Sequence, residues 1–361
     1  MSAPAKTRWI PLLTLLVAVG LWAAINTVNT YLNRPLQLQE VMELEVPKGN
    51  TLGQVVRQLN AENVLQHPTW LLIYARFTQR GHQIHAGDYL IGPGTTPLDL
   101  ISILERGKVR TYAVTLVEGW TLAQARAMLA REPRLQQTLA GVADDALLSE
   151  LKINDAPTLH PEGLFFPDTY VFTGQTADRD ILRQAYHRMQ QVLAREWAQR
   201  SSDVPYQSAY EALIMASIVE KETGAAAERP DIAGVFVRRL QKAMLLQTDP
   251  TVIYGLGASY DGNLHRRDLD NADNTYNTYA HPGLPPTPIA LAGAAAIHAA
   301  LQPSAGDALY FVARGDGSHQ FSATLDEHER AVRKYQIEQR RSDYRSRIEP
   351  TSNASSKPSS K

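Results

Sequence analysis

The stretch YEALIMASIVEKET, Tyr210 to Thr223, is rich in Ala, Leu, Ile and Met and holds no proline or glycine, so it reads as a helix. At 3.6 residues per turn, Glu220 shares a face with Leu213, Ala216, Ser217 and Thr223. Glu222 falls on the far side, with Ile218 and Glu211. Small neighbours leave room for a ligand beside Glu220. An apolar setting and the negative end of the helix dipole both raise a carboxyl pKa. A glutamic acid held partly protonated near neutral pH suits a general acid. Taken alone, a glutamate near a helix end is far more commonly a solvated charge, so the surroundings decide.

Upstream, PEGLFFPDTY (Pro161–Tyr170) sets Glu162 and Asp168 among Phe166, Tyr170 and turn formers. Carbohydrate sites favour this mix, because sugar faces stack on rings and hydroxyls need acceptors. The plain alternative is a structural turn with an aromatic plug. Downstream, LQTDPTV (246–252) offers Gln247, Asp249 and Thr251, and YNTY (276–279) offers Asn277 and Tyr279. Both segments read as loop-rich. GLPPTP (283–288) is a stiff loop suited to shaping a groove. Ala290–Leu301 reads as a small-residue helix, Leu309–Ala313 as a buried strand, and Thr324–Arg340 as a charged helix.

Further out lies a small α/β module. Leu44–Val46 alternates like a strand, Thr51 caps a helix over 52–59, and Pro68–Phe77 is a second helix. Gly87–Ile91 is a strand and 97–105 a third helix. VPKGNTLGQVVRQL (46–59) resembles the start of a LysM-type carbohydrate-binding repeat; a spacer domain is the alternative. A second strand, glycine turn, threonine cap and helix follow from Arg110, with Tyr112–Val117 as the strand.

The N-terminus carries no charge from Trp9 to Asn33, a run long enough to span a bilayer. Lys6 and Arg8 precede it, which predicts a cytoplasmic N-terminus. The rival is a cleaved signal peptide, but the small residues Ala18-Val19-Gly20 fall inside the apolar run rather than after it.

Charge is nearly balanced, at a net −1 over 361 residues, so nothing points to nucleic acid as a partner. The absence of cysteine removes disulfides, thiol catalysis and cysteine-ligated zinc. His265, His281, His298, His319 and His328 are scattered without metal-ligand spacing and read as surface or hydrogen-bonding residues. No GxSxG element or phosphate-binding loop is present. No cofactor and no metal are expected.

ASIVEKET (216–223), EGLFFPDTY (162–170), ERPDIAGVFVRRL (228–240), MLLQTDPTVIYG (244–255), YNTY, GLPPTPI (283–289) and YFVARGDGSHQFSATLDEH (310–328) resemble the YceG-like endolytic murein transglycosylases. The resemblance implies cleavage between N-acetylmuramic acid and N-acetylglucosamine inside peptidoglycan strands, leaving 1,6-anhydro ends and limiting nascent strand length. It implies Glu220 as catalytic residue. Glu162, Phe166, Asp168, Tyr170, Ser217, Gln247, Asp249, Thr251, Asn277 and Tyr279 are the candidate substrate-binding residues. Glycan strands are the expected partner, with cell-wall synthases as candidates and a single-pass location in the bacterial inner membrane. A hydrolysing muramidase and a membrane-tethered glycan-binding scaffold are the alternatives. One departure stands out: Thr287 replaces a family glycine, and Ala290-Leu291-Ala292-Gly293 replaces a family turn, which puts the loop geometry in question.

The expected fold class is α+β: an N-terminal transmembrane helix, a small LysM-like α/β module and a larger mixed α/β catalytic domain. The boundaries are a cytoplasmic arm over 1–8, a span over 9–31, a stalk over 32–43, the module over 44–109, a connecting unit over 110–158, the catalytic domain over 159–345 and a disordered tail over 346–361.

Overall fold

The computed structural model describes residues 10–339. The expected arm and tail lie outside the described residues, as do Trp9 and the end of the charged helix at Arg340. Two compact units divide the chain. The first holds the chain to Tyr112 with Arg134–Gln136 and Val171–Thr176; the second holds Ala113–Pro133, Gln137–Tyr170 and the chain from Ala177. Most of the stretch expected as a connecting unit over 110–158 falls within the second.

The first unit opens with helix α1 (Ile10–Leu32). Its segment Leu13–Leu32 has a mean hydropathy of 1.5 and is long and apolar enough to cross a membrane. Strand β1 (Met42–Val46), helices α2 (Leu52–Ala61) and α3 (Pro68–Phe77), strand β2 (Gly87–Ile91) and helix α4 (Pro97–Arg106) follow. β1 and β2 pair antiparallel, with Leu44 opposite Tyr89. Leu44 and Val46 face inward and Glu43 and Glu45 outward, the period-two pattern of a strand with one covered face. Leu44, Tyr89, Ile91, Val55, Leu71 and Leu100 are fully buried together. The segment expected as a polar stalk is instead folded onto this unit. Leu32 and Leu36 are buried in its core, Leu36 N–H donates to Thr95 O (2.8 Å) and Gln37 N–H to Val64 O (3.0 Å). The four-residue spacing of these leucines outweighs the polar residues between them.

Strand β3 (Thr111–Thr115) pairs with β4 (Thr169–Thr173), and helices α5 (Leu122–Arg131) and α6 (Asp144–Glu150) lie between them in sequence. The second unit continues with α7 (Asp178–Ala198), α8 (Ala209–Glu222), α9 (Arg229–Gln241), α10 (Asp249–Leu256), the short α11 (Arg266–Leu269) and α12 (Ala294–Leu301). An antiparallel pair, β5 (Tyr310–Ala313) with β6 (His319–Ser322), and helix α13 (Leu325–Val332) complete it. A π-helical run, Arg333–Glu338, extends α13.

α8 is the centre of this unit. Every residue from Ala212 to Val219 is buried, so the helix has no solvent face to orient it. α12 packs against α8, α9 and α7, and its alanines permit the close approach. It begins at Ala294 rather than Ala290, with Gly293 as its cap. The segment expected as loop after Gln247 contains α10, because Pro250 sits in the first turn, where no amide donor is needed.

Candidate active site

A cleft of about 1390 Å³ runs through the second unit. One wall carries Glu222 from the end of α8, with Gln247, Thr248 and Asp249 at the start of α10. Tyr254, Tyr276, His160 and Glu162 line another part. Arg239, Tyr310, His319 and His328 line the region near β5 and β6.

The structure separates the two glutamates of α8. Glu222 lines the cleft and accepts a short hydrogen bond from Thr248 Oγ1. Glu220 is not among the lining residues. Its Oε1 accepts from Arg229 Nη2 (3.2 Å), its Oε2 accepts from Gly293 N–H (2.9 Å), and its side chain is 5% exposed. Burial raises the Glu220 pKa, opposed by the Gly293 amide and by Arg229, while Glu118 adds to the rise. The raised pKa fits an acid, and Glu220 ties the end of α8 to the cap of α12 and the start of α9. Glu222, expected on the far side of the helix, borders this cleft: with both sides of α8 packed, helical periodicity alone does not tell which side borders a cavity.

Around Glu222 the chain is held by Thr278. Its carbonyl accepts from Gln247 N–H (3.1 Å), and its Oγ1 accepts from Thr248 N–H (3.1 Å). Gln247 sits at φ +53°, a left-handed conformation uncommon for a residue with a side chain. Its Oε1 accepts from Arg239 Nη1 (3.1 Å), which also donates to Leu245 O and Leu246 O. Tyr279 donates its hydroxyl to Asp249 Oδ1 (2.6 Å), and burial pushes the Tyr279 pKa up, aided by the charges of Asp249 and Glu222.

Glu162 is a second carboxyl at the cleft, 4% exposed. Its Oε1 accepts from Leu122 N–H (2.9 Å), one of the first-turn amides of α5 that have no partner within their own helix. Its Oε2 accepts from Tyr254 OH (3.1 Å). Burial pushes the Glu162 pKa up to about 7 against the opposing Leu122 and Tyr254 hydrogen bonds. The turn that follows it is tight: Gly163 has φ +75°, and a Cβ there would lie 2.3 Å from Pro288 Cβ.

Of the expected substrate-binding residues, the structure brings Glu162, Gln247, Asp249 and Tyr279 to the cleft. The others do not line it. Phe166 and Tyr170 are buried, with Tyr170 OH donating to Phe166 O (2.6 Å), and Asp168 is exposed and accepts from Thr169 N–H (2.7 Å). Ser217 accepts from Ile289 N–H (2.9 Å), which ties the GLPPTPI loop to α8. Thr251 donates to Thr248 O (2.7 Å), and Asn277 Nδ2 donates to the carbonyls of Leu269 (2.9 Å) and Asn271 (2.8 Å). These polar groups hold loops in shape, which composition alone does not distinguish from ligand binding.

Sequence reasoning did not place Glu222, Thr248, Tyr254, Arg239, His319 and His328 at the site. His319, expected as a surface or hydrogen-bonding residue, is the latter: it is 5% exposed, its Nδ1 pairs with Glu228 Oε2 (2.7 Å) and its N–H donates to Glu228 Oε1 (2.9 Å). The signal for it was the acidic Glu228 far upstream, which only the fold brings close. Thr287 does not need the left-handed conformation that a glycine would supply. It is not among the positive-φ residues, and its hydroxyl lies 2.8 Å from Tyr276 OH. Among the described residues no group of three or more His, Asp or Glu side chains is placed to hold a metal ion.

Residues 44–334 match the model of the YceG-like family. An endolytic murein transglycosylase of Bacillus subtilis is 32% identical over 309 residues, covering 81% of this chain and 84% of that protein. Another endolytic murein transglycosylase, from Streptococcus pneumoniae, is 25% identical over 89% of this chain; the match covers 63% of that longer protein. A YceG-like protein of Listeria monocytogenes, solved by crystallography, superposes with a TM-score of 0.51 at 29% identity, covering 81% of this chain and 99% of that one.

Proposed function

Because the chain belongs to the YceG-like family, we propose that it is an endolytic peptidoglycan lytic transglycosylase whose acid and base is Glu220. The observation that supports the assignment is the setting of its carboxyl at the end of α8, where burial raises its pKa and the Arg229 guanidinium and the Gly293 amide hold its two oxygens. Glu220 donates its proton to the glycosidic oxygen between N-acetylmuramic acid and N-acetylglucosamine. The resulting carboxylate takes the proton of the muramyl C6 hydroxyl, and that oxygen closes on C1 to give a 1,6-anhydro end. The attack is intramolecular, so neither water nor an enzyme nucleophile is consumed. Gln247 and the Asp249–Tyr279 pair offer polar groups to the sugar.

Glycan strands are the substrate, and cell-wall synthases that make them are the fitting partners. α1 serves as a single-pass anchor in the inner membrane, with the N-terminus cytoplasmic and both units periplasmic; its length and apolar composition support this. The LysM-like stretch 46–59 gives the first unit a glycan-holding role.

One observation favours a second reading. Glu162 supplies another carboxyl at the cleft, as a hydrolysing muramidase requires. Mass spectrometry of products from purified glycan strands separates the two. Anhydro-muramyl ends are expected, and reducing ends would establish hydrolysis instead. Loss of product in Glu220→Gln with retention in Glu222→Gln is the expected pattern; the reverse pattern moves the role to Glu222, which lines the cleft.

A further inference from the structure

The first unit carries an apolar helix stripe that begins at a packed aromatic and ends exposed. On α3, Leu71 and Ala75 are buried, while Ile73 is 50% and Phe77 85% exposed. Trp70, Ile73 and Phe77 stand at positions i, i+3 and i+7, so they form one stripe along the helix. Patches of this kind mark interaction surfaces.

The position of the stripe points to its occupant. Trp70 meets Tyr31 of α1 edge to face, with ring centroids 5.4 Å apart at 82°. Tyr31 OH donates to Gln66 O (2.6 Å), just before α3 begins. α1 therefore does not leave a membrane through a loose tether. From Leu13 through Ile25 its side chains are outward-facing, and from Val28 it is packed into the unit's core through Val28, Tyr31 and Leu32. Hydrocarbon about 30 Å thick is crossed by about 20 helical residues at 1.5 Å each. Counted from Ile10, that distance ends near Asn29, which sets Tyr31, and Trp70 against it, where the headgroups begin. Tryptophan and tyrosine favour that boundary. α3 also carries Arg76 and no acidic residue, which suits an anionic lipid surface.

We propose that α3 rests on the membrane surface beside the emerging span, with Trp70, Ile73 and Phe77 set among the lipid headgroups. The inference rests on the reading of α1 as a membrane anchor. It gives the first unit two attachments to the bilayer, which fixes its tilt instead of leaving it free to swing about α1.

The absence of cysteine from the chain makes the test direct. Single-cysteine variants of the full chain, Ile73→Cys, Phe77→Cys, Val17→Cys and Glu45→Cys, are labelled with an environment-sensitive fluorophore. They are reconstituted into vesicles of phosphatidylglycerol and phosphatidylethanolamine, with and without spin-labelled lipid. Val17 reports the anchor, being 64% exposed on α1, and Glu45 is an exposed position on β1. The expected result is severalfold stronger lipid quenching at 73 and 77 than at 45, with strong quenching at 17. Quenching at 17 without quenching at 73 and 77 overturns the α3 proposal and leaves the anchor standing. No quenching at 17 overturns the anchor and the proposal with it. Equal quenching at 45, 73 and 77 overturns it as non-specific. Oxidation of Phe77→Cys to a disulfide between two chains, without lipid quenching, overturns it in favour of an interface between copies.

Discussion

Glu220 and Glu222 are two residues apart on α8, yet their carboxylates serve different neighbours: Arg229 and the Gly293 amide hold the first, and Thr248 at the cleft wall meets the second. A helix turns about 100° per residue, so positions i and i+2 point roughly 160° apart. In a helix buried from Ala212 to Val219 both directions lead into protein, and Glu222 borders the cleft described above.

Glu220→Gln is expected to lower turnover by about 10² to 10⁴ or more, since the same group serves as acid and then as base. The amide keeps an acceptor for the Gly293 N–H, so the fold should hold. Glu220→Ala should cost stability as well. It leaves the Arg229 guanidinium without its carboxylate in a buried setting, which costs about 3–5 kcal/mol. Glu222→Gln should keep turnover close to wild type. Calorimetry on these variants, alongside product formation, reads the signatures. Unchanged turnover in Glu220→Gln would remove the assignment.

Gly163→Ala tests the seat of Glu162. The backbone there has φ +75°, and the new methyl would approach Pro288 Cβ to 2.3 Å. Strain and overpacking together are expected to cost about 1–3 kcal/mol. Because the shift moves Glu162 and the GLPPTPI loop apart, glycan affinity should fall as well. A variant with wild-type Tm and affinity would show that the contact relaxes freely.

Much of this fold was legible because local signals agreed with the tertiary structure. Thr51 and Thr121 cap the helices they precede, and the alternation of β1 places Leu44 and Val46 inside. The stretch from Gln247 reads as loop-rich yet holds α10, whose Pro250 fits at a first-turn position. The site was half legible. Gln247, Asp249, Tyr279 and Glu162 reach the cleft as their motifs suggested, but Ser217, Thr251 and Asn277 spend their hydrogen bonds on backbone. Donors that cap loops and donors that bind ligands are the same residue types. His319 was out of reach, since its partner Glu228 lies 91 positions away.

Thr287→Val isolates the hydroxyl that the family glycine lacks. Its Oγ1 lies 2.8 Å from Tyr276 OH, and the Tyr276 ring packs edge-on to Tyr254 at 4.9 Å along the cleft. Valine keeps the shape and removes the bond, a loss of about 1 kcal/mol. Tyr276 should loosen, raising KM severalfold while kcat holds. A fall in kcat with KM unchanged would place the loop in the chemistry instead of the substrate's seat.

Glu162 gives a pH signature. Burial pushes its folded pKa up to about 7 from an ordinary value of 4.5, because burial disfavours the charge. Between these values the folded protein holds a proton that the unfolded chain has released, so stability falls as pH rises. The contribution is fully present below about 4.5 and is lost as pH passes through about 7. One pKa unit corresponds to about 1.4 kcal/mol, so the swing is about 3 kcal/mol. Glu162→Gln cannot titrate and keeps an acceptor for the Leu122 amide or Tyr254. Measured between pH 5 and pH 8, its unfolding free energy should decline less steeply than that of wild type, with the two curves diverging as pH falls. If the wild-type and Glu162→Gln curves run parallel, the buried carboxyl does not change protonation on folding. Under the transglycosylase mechanism the variant should still yield anhydro ends, because Glu220 performs both proton transfers, whereas a muramidase relying on Glu162 would lose turnover outright.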